Sequence, residues 1–202
     1  MKIEHPLEEE YWAKGQSVLG IDEAGRGPIC GPLVVAGVKL PVGYYHDEIN
    51  DSKKLSEKKR QKLFTEIIEA AEEFFIFIVD EKTIDRLNIY RATQQAMEEI
   101  AQSTDADMVF TDAMKLNVDR PYDHFVKGDA KSLSIAAASI LAKVTRDAWM
   151  MELDRQYPQY RLAKHKGYPT KAHLEAIHKY GLQDFYRRSY RPVAELEEIR
   201  LF

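Results

Sequence analysis

Cysteine is nearly absent from this sequence: Cys30 stands alone among 202 residues, which excludes a disulfide framework within one chain. Long apolar runs are absent too, since nothing approaches the ~20 consecutive apolar residues that a membrane-crossing helix needs. The opening stretch MKIEHPLEEEYW lacks the basic-then-apolar pattern of a secretory signal. Together these absences lead us to expect a soluble protein of a reducing cytoplasm, with no membrane partner. There is no internal repeat, no low-complexity tract and no linker rich in Gly, Ser or Pro. A single domain over residues 1–202 is therefore expected, with 160–202 as a helical C-terminal part. No heptad pattern or obvious dimer surface is visible, so a monomer is the expectation. Cys/His clusters, Ser-His-Asp sets and Walker-type phosphate loops are also missing, which leaves zinc, serine-nucleophile and P-loop chemistry without residues to perform them.

What is present is ample for a packed core: hydrophobic residues make up 45% and aromatic residues 10%. The charged fraction is 31% with both signs represented, which is not a disordered composition. The net charge of -4 is unevenly spread. Between Lys115 and Arg191 there are 15 Lys and Arg against 8 Asp and Glu, while the remainder carries 14 against 25. A local basic face, rather than the total, is what a polyanion such as nucleic acid meets. A solvated basic surface without a partner would give the same count.

The pattern along the chain alternates strands and helices. Val18 to Ile21 reads as a buried strand followed by Asp22 and Glu23, and PLVVAGVKL as a second strand. Ser56 is a good N-cap for EKKRQKLFTEIIEAAEEF, where Leu63 and Ile67 fall at helical spacing. FFIFIVD reads as a central strand, and TIDRLNIYRATQQAMEEIAQS as one amphipathic helix. DMVFTD is another strand, ending in Asp112, and YDHFVKG an edge-like one leading to Asp129. SLSIAAASILAKVTRDAWMMELDRQY reads as a long Ala-rich helix able to pack close to the sheet, and TKAHLEAIHKYG as a helix stopped by Gly181. The expected class is mixed α/β with helices covering the sheet.

Four acids occupy unusual places. Asp22 and Glu23 follow one apolar strand, Asp112 ends another, and Asp129 follows a third. Charged side chains are rare at the ends of buried strands unless something compensates them. Gathered from three strand ends, these carboxylates would repel one another until a cation neutralised them. An all-oxygen donor set suits Mg²⁺ or Mn²⁺. Two such ions about 3.5–4 Å apart generate a hydroxide nucleophile and stabilise the leaving oxygen of a phosphodiester. Taken singly, Asp112 and Asp129 fit exposed strand-terminal or turn positions better than a site. The following Ala24-Gly25-Arg26-Gly27-Pro28 is either a tight turn or a ligand loop, because glycine backbone approaches a ligand closely and its amides donate to a hydroxyl or phosphate.

The stretches GIDEAGRGPICGPLVVAGV, DSKKLSEKKR, RATQQAM, VFTDA, KGDAKS, IAAASILAKVTRD and HKGYPT resemble the type HII ribonuclease H family, over nearly the whole chain. The resemblance implies a ribonuclease H-like fold, a mixed central sheet flanked by helices with a helical C-terminal extension. It implies an endonuclease that hydrolyses the phosphodiester 5′ of a ribonucleotide, leaving 3′-hydroxyl and 5′-phosphate ends. RNA–DNA hybrids and duplex DNA carrying single ribonucleotides would be its substrates, in support of ribonucleotide removal from DNA. It further implies that Asp22, Glu23, Asp112 and Asp129 are the catalytic, metal-binding carboxylates, with Asp22 bridging two Mg²⁺ or Mn²⁺ ions. Gly25, Arg26 and Gly27 resemble the loop that reads the ribose 2′-hydroxyl and its phosphate. Tyr168 resembles the aromatic that stacks beneath the next deoxyribose, in keeping with the 2′-hydroxyl as the mark that separates RNA from DNA. Lys53, Lys54, Ser139, Lys143 and Arg146 are implied phosphate contacts, although a solvated helix face would read the same. Asp147, one turn beyond Lys143, is read as a structural partner outside the catalytic set.

The sequence departs from that family in places. Ala113 stands where Gly often follows the third aspartate. Tyr186-Arg187-Arg188-Ser189-Tyr190 replaces a common His-Arg-x-Ser-Phe, which removes the basis for a phosphate contact at Tyr186. Arg26 and the short N-terminus favour type HII over type HIII, whose first motif usually reads Gly-Lys-Gly. A type HI or HIII nuclease and a catalytically silent hybrid-binding module are the competing readings, and the complete acidic set argues against the last. Glu198-Ile199-Arg200-Leu201-Phe202 resembles peptides that dock on bacterial sliding clamps, with Glu in place of Gln, although a frayed or self-packing tail is the plainer reading.

Overall fold

The computed structural model describes residues 3–199. Five strands, β1 (Val18–Ala24), β2 (Leu33–Lys39), β3 (Glu73–Val79), β4 (Met108–Asp112) and β5 (Tyr122–Phe125), form one sheet in the order β3-β2-β1-β4-β5. β1, β2 and β3 pair antiparallel, whereas β4 runs parallel to β1 and to β5. The parallel register sets Ile21 beside Thr111, so the next residues on the two strands, Asp22 and Asp112, lie at the same end of the sheet. The helices are α1 (Glu9–Trp12), α2 (Glu57–Ala70), α3 (Glu81–Leu87), α4 (Ile89–Ser103), α5 (Leu133–Gln156), α6 (Leu162–His165), α7 (Lys171–Tyr180) and α8 (Arg191–Ile199). None among the described residues is long and apolar enough to cross a membrane.

Strand alternation divides the core. Val34, Ala36 and Val38 face α5 and α2 through Ala136, Ala137, Ile140, Leu63 and Ile67. Leu19, Ile21, Leu33 and Val35 face α3 and α4 through Ile84, Ala96, Met97 and Ile100. A third cluster binds the segment after β1, at Ile29 and Cys30, to the C-terminal helices through Met150, Tyr160, Leu162, Ile177, Tyr186 and Val193. The Ala-rich pattern of α5 lets it lie close to the sheet, and Gly20 takes this furthest. A Cβ on Gly20 would sit 2.2 Å from the backbone nitrogen of Ile135. The N-terminus of α5 therefore rests directly on β1 backbone.

Several sequence expectations hold. Ser56 caps α2 by accepting from the Lys59 N–H at 3.3 Å, α5 is one helix capped by Ser132, and α7 stops at Gly181. Others are corrected. FFIFIV forms an edge strand, not a central one, with Phe74 44% and Ile78 45% exposed. Aromatic and β-branched residues suit a pleated strand wherever it lies, so composition did not reveal position. The expected single helix from Thr83 is two, because Asn88 adopts φ 65° and its side chain accepts from the Arg91 N–H at 3.1 Å. Asn88 thus ends α3 and caps α4. β1 also runs past Ile21, since Asp22 and Glu23 pair with Ala36 and Val35 and belong to the strand. The segment Glu198–Phe202 lies outside the described residues beyond Ile199, where the α8 backbone ends.

Gly20→Ala is expected to lower unfolding stability by about 3 kcal/mol, because the clash is with backbone that cannot rotate away. Urea unfolding of the two proteins measures it, and a loss within about 0.5 kcal/mol, the range of a neutral surface change, would contradict the close contact.

Candidate active site

The structure brings Asp22, Asp112 and Asp129 together, with carboxylate oxygens all within 4.8 Å of one another. Asp22 and Asp129 are buried, while Asp112 is half-buried. Backbone amides hold two of them: Asp22 accepts from the Glu23 N–H at 2.7 Å, and Asp112 from the Gly128 N–H at 2.9 Å. Burial, then the charges of Glu23 and Asp112, push the Asp22 carboxyl well above the usual carboxylate range. Burial, then Asp51 and Asp112, raise Asp129 in the same sense. Each is what like charges in a poorly solvated space do to one another. Glu23 stands outside this trio. Its Oε1 faces the Arg26 guanidinium at 3.5 Å, and its Oε2 is buried without a hydrogen-bond partner. Burial raises Glu23 while Arg26 opposes the rise. Three converging carboxylates and a fourth with an orphaned buried oxygen form an all-oxygen donor set with excess negative charge. That set fits a hard divalent cation of the Mg²⁺ or Mn²⁺ kind.

Two adjoining clefts meet at Lys53. The first, about 300 Å³, is lined by Asp22, Glu23, Gly25, Arg26, Gly27, Lys53, Ser139, Lys143, Arg146 and Tyr168. The second, about 460 Å³, is lined by Asp112, Asp129, Asp51, Lys54 and Lys127. All thirteen residues singled out in the sequence therefore border this one region. Burial works against the charge on Lys53, but Asp129, Asp22, Asp51 and Asp112 outweigh it and raise the ammonium. Gly27 faces Tyr168 across the first cleft, a Cβ there falling 3.2 Å from the ring, and Tyr168 is 49% exposed.

Not every side chain implied as a phosphate contact faces open space. Arg146 is buried and donates to the carbonyls of Pro32, Cys30 and Lys166 at 2.9, 3.1 and 2.9 Å. Its position is beneath the glycine loop, holding it, rather than along the path over it. Ser139 is also buried, donating to Ser52 Oγ at 2.7 Å. Asp147 pairs with Lys143 at 2.7 Å and faces Arg60 at 4.0 Å, as its structural reading expects. Asp51 was missed as a member of the acidic region. It accepts from the Lys53 N–H at 2.9 Å and adds its charge to that of Asp129. It lies in a loop rather than at a strand end, so the rule that found the other four acids passed over it.

The C-terminal part supports Tyr168 from behind. His173 Nδ1 donates to the Tyr168 carbonyl at 2.9 Å, which leaves Nε2 to accept from the Tyr186 hydroxyl at 2.9 Å. His165 stacks on His173 at 4.1 Å and accepts from the Gly167 N–H. Tyr186 is buried in this network and lines neither cleft. Burial holds His173 down, to about 4, so it is neutral at pH 7.

Comparison with known proteins agrees with this geometry. The family model described as Ribonuclease HII matches residues 19–193. A ribonuclease HII of Francisella tularensis subsp. mediasiatica (strain FSC147) is 53% identical over 182 residues, covering 89% of this chain and 97% of its own. Among solved structures, ribonuclease H2 from Pyrococcus horikoshii OT3 superposes with a TM-score of 0.79 at 26% identity, covering 91% of this chain and 98% of that one. A chain of the PCNA:RNase HII complex from Archaeoglobus fulgidus superposes with a TM-score of 0.73 at 25% identity, covering 87% and 95%.

Backbone strain flanks the site. Ala113 follows Asp112 at φ 53°, Lys127 precedes Gly128 at φ 58°, and Lys166 precedes Gly167 at φ 51°. A Cβ in this left-handed region costs roughly 1–2 kcal/mol, offset in part by the extra freedom glycine has when unfolded. Ala113→Gly is therefore expected to stabilise the protein by about 1 kcal/mol. A thermal midpoint that stays the same or falls would show that Ala113 is not strained.

Proposed function

The chain belongs to the ribonuclease HII family and is a hydrolytic nuclease, and on that premise we propose that it cleaves the phosphodiester 5′ of a ribonucleotide within duplex DNA or an RNA–DNA hybrid. The products are 3′-hydroxyl and 5′-phosphate ends, and the role is ribonucleotide removal from DNA. One observation carries this reading: the acidic trio and the glycine loop opposite Tyr168 border two clefts that share Lys53 in their walls.

Asp22, Glu23, Asp112 and Asp129 would hold two Mg²⁺ or Mn²⁺ ions, and Asp22 is the acid that feels the charge of all three others. When bound, such ions supply a hydroxide nucleophile and stabilise the leaving oxygen. The chain's own groups do the remaining work. Lys53 and Lys143 line the first cleft and offer ammonium donors to phosphate oxygens, and Lys54 does so in the second. The Gly25–Gly27 backbone reads the 2′-hydroxyl and adjacent phosphate, with no Cβ to keep the strand away. The exposed Tyr168 ring offers a flat face to the following deoxyribose, so that a missing or displaced 2′-hydroxyl spoils the fit on both sides. Arg26 stays paired with Glu23 and orients that carboxylate. A sliding clamp is proposed as a second partner. The Archaeoglobus fulgidus relative was solved with PCNA, and Glu198–Phe202 carries the Leu-Phe ending of a clamp-docking peptide.

The test is cleavage of an end-labelled DNA duplex carrying one ribonucleotide, with Mg²⁺ or Mn²⁺ and with chelator. A metal-dependent nick on the 5′ side is expected. Asp22→Asn should lower kcat on the order of a thousandfold with duplex affinity nearly unchanged. Cutting confined to longer hybrids would move the assignment to type HI or HIII specificity, and equal loss of binding and turnover would make Asp22 structural.

A further inference from the structure

The segment that joins β1 to β2 contains two prolines and no regular structure, yet it has to present Gly25, Arg26 and Gly27 at the cleft in one arrangement. Its rigidity comes from two arginines. Arg187 donates from Nε and Nη2 to the Gly31 carbonyl at 2.9 and 2.7 Å, and from Nη1 to the carbonyls of Pro28 and Arg26 at 2.9 and 3.3 Å. Arg146 takes the carbonyls of Cys30 and Pro32 and, in the same fork, that of Lys166 two residues before Tyr168. Two guanidiniums thus engage five carbonyls of one eight-residue segment and tie it to the turn that carries the aromatic. Ile29 N–H donates to the Gly167 carbonyl at 2.9 Å and completes the link.

Both arginines are buried, Arg146 at 2% and Arg187 at 0% exposure. Among the described residues neither forms an ion pair, although a carboxylate is the usual companion of a buried guanidinium. Backbone carbonyls and the Tyr190 hydroxyl receive these donors, and the planar fork suits that task where the point charge of lysine does not. Gly25 rests directly on Arg146, since a Cβ there would fall 2.2 Å from Nε. Tyr190 extends the clamp: its hydroxyl accepts from Arg187 Nη1 at 3.0 Å and donates to the Arg26 carbonyl at 2.6 Å.

We propose that Arg187 and Arg146, with the Tyr190 hydroxyl, are positioning residues for ribonucleotide recognition, fixing the Gly25–Gly27 loop from beneath without touching the substrate. The inference rests on the reading of that loop as the ribose sensor. It makes discrimination, rather than general duplex affinity, the property that the clamp controls.

Arg187→Lys keeps the charge and removes the fork, while Tyr190→Phe removes one oxygen. Fluorescence anisotropy in Ca²⁺ would compare wild type and both variants on two labelled duplexes that differ only by one ribonucleotide. The readout is the ratio of the two affinities, with circular dichroism and thermal melting to confirm folding. Wild type should prefer the ribonucleotide duplex. Arg187→Lys should lose about tenfold of that preference, and Tyr190→Phe about twofold to threefold, with all-DNA affinity kept. A merely structural role would reduce the folded fraction and weaken both duplexes alike, so an unchanged ratio overturns the proposal. If Arg187→Lys does not fold, the ratio for Tyr190→Phe decides. A wild type without any preference overturns the ribose-sensing reading and the proposal with it, whereas a preference retained by the variants overturns the proposal alone.

Discussion

Carboxylates that share a space of a few ångströms with little water resist being brought there. Two unit charges 4.8 Å apart repel by about 3–4 kcal/mol at an effective dielectric of ~20. Asp22, Asp112 and Asp129 face that repulsion in each pair, and the fold holds them in spite of it. Asp22 is held in β1 by its pairing with Ala36 of β2, one residue past the end of the ladder with β4. Asp112 is gripped by the Gly128 amide, which fixes the turn leading to Asp129. Lys53 lies close enough to feel every acid in the region and offsets part of their charge. The arrangement sacrifices stability for a donor set already shaped for cations, the general trade of a preorganised site.

The other parts of the structure serve that placement. The contact of Gly20 with the start of α5 brings the helix bearing Ser139, Lys143 and Arg146 down onto β1. The same end of α5 is fixed by Glu8, which accepts from the Ser134 N–H at 2.8 Å. From the far side, α6, α7 and the segment from Phe185 to Tyr190 close on the loop after β1. Arg187 clamps that loop, and the His173–Tyr186 pair holds the Tyr168 carbonyl. The cleft is thus a seam between a rigid sheet end that carries the acids and a C-terminal wall that carries the aromatic.

Much of this was legible in the sequence, because the signals are local. A charged residue at the end of an apolar run, a Ser before a helical pattern and an Ala-rich stretch each have one main physical reason to exist. The resemblance of the DEAGRG and AASILAKVTRD segments to a nuclease family added the roles. What stayed hidden depends on tertiary context. The edge position of Glu73–Val79 is decided by strand order, which an apolar run does not encode. The break at Asn88 needed a left-handed residue inside a continuous periodic pattern. Arg146 read as a phosphate contact or a solvated helix residue, and Arg187 was given no role, because arginine is rarely buried unpaired and only the folded loop supplies the carbonyls that make burial tolerable. Asp51 enters the acidic region through a loop whose course the sequence pattern does not fix.

Thermal unfolding of wild type and Asp22→Asn, each with and without Mn²⁺, decides whether the buried acids form a cation site at the expense of stability. Asn keeps the oxygen that accepts from Glu23 and removes the charge. Metal-free Asp22→Asn is expected to melt ~2–4 °C above metal-free wild type, and Mn²⁺ to raise the wild-type midpoint while scarcely moving that of the variant. A variant that melts below wild type without metal, and still gains the full Mn²⁺ shift, would contradict it.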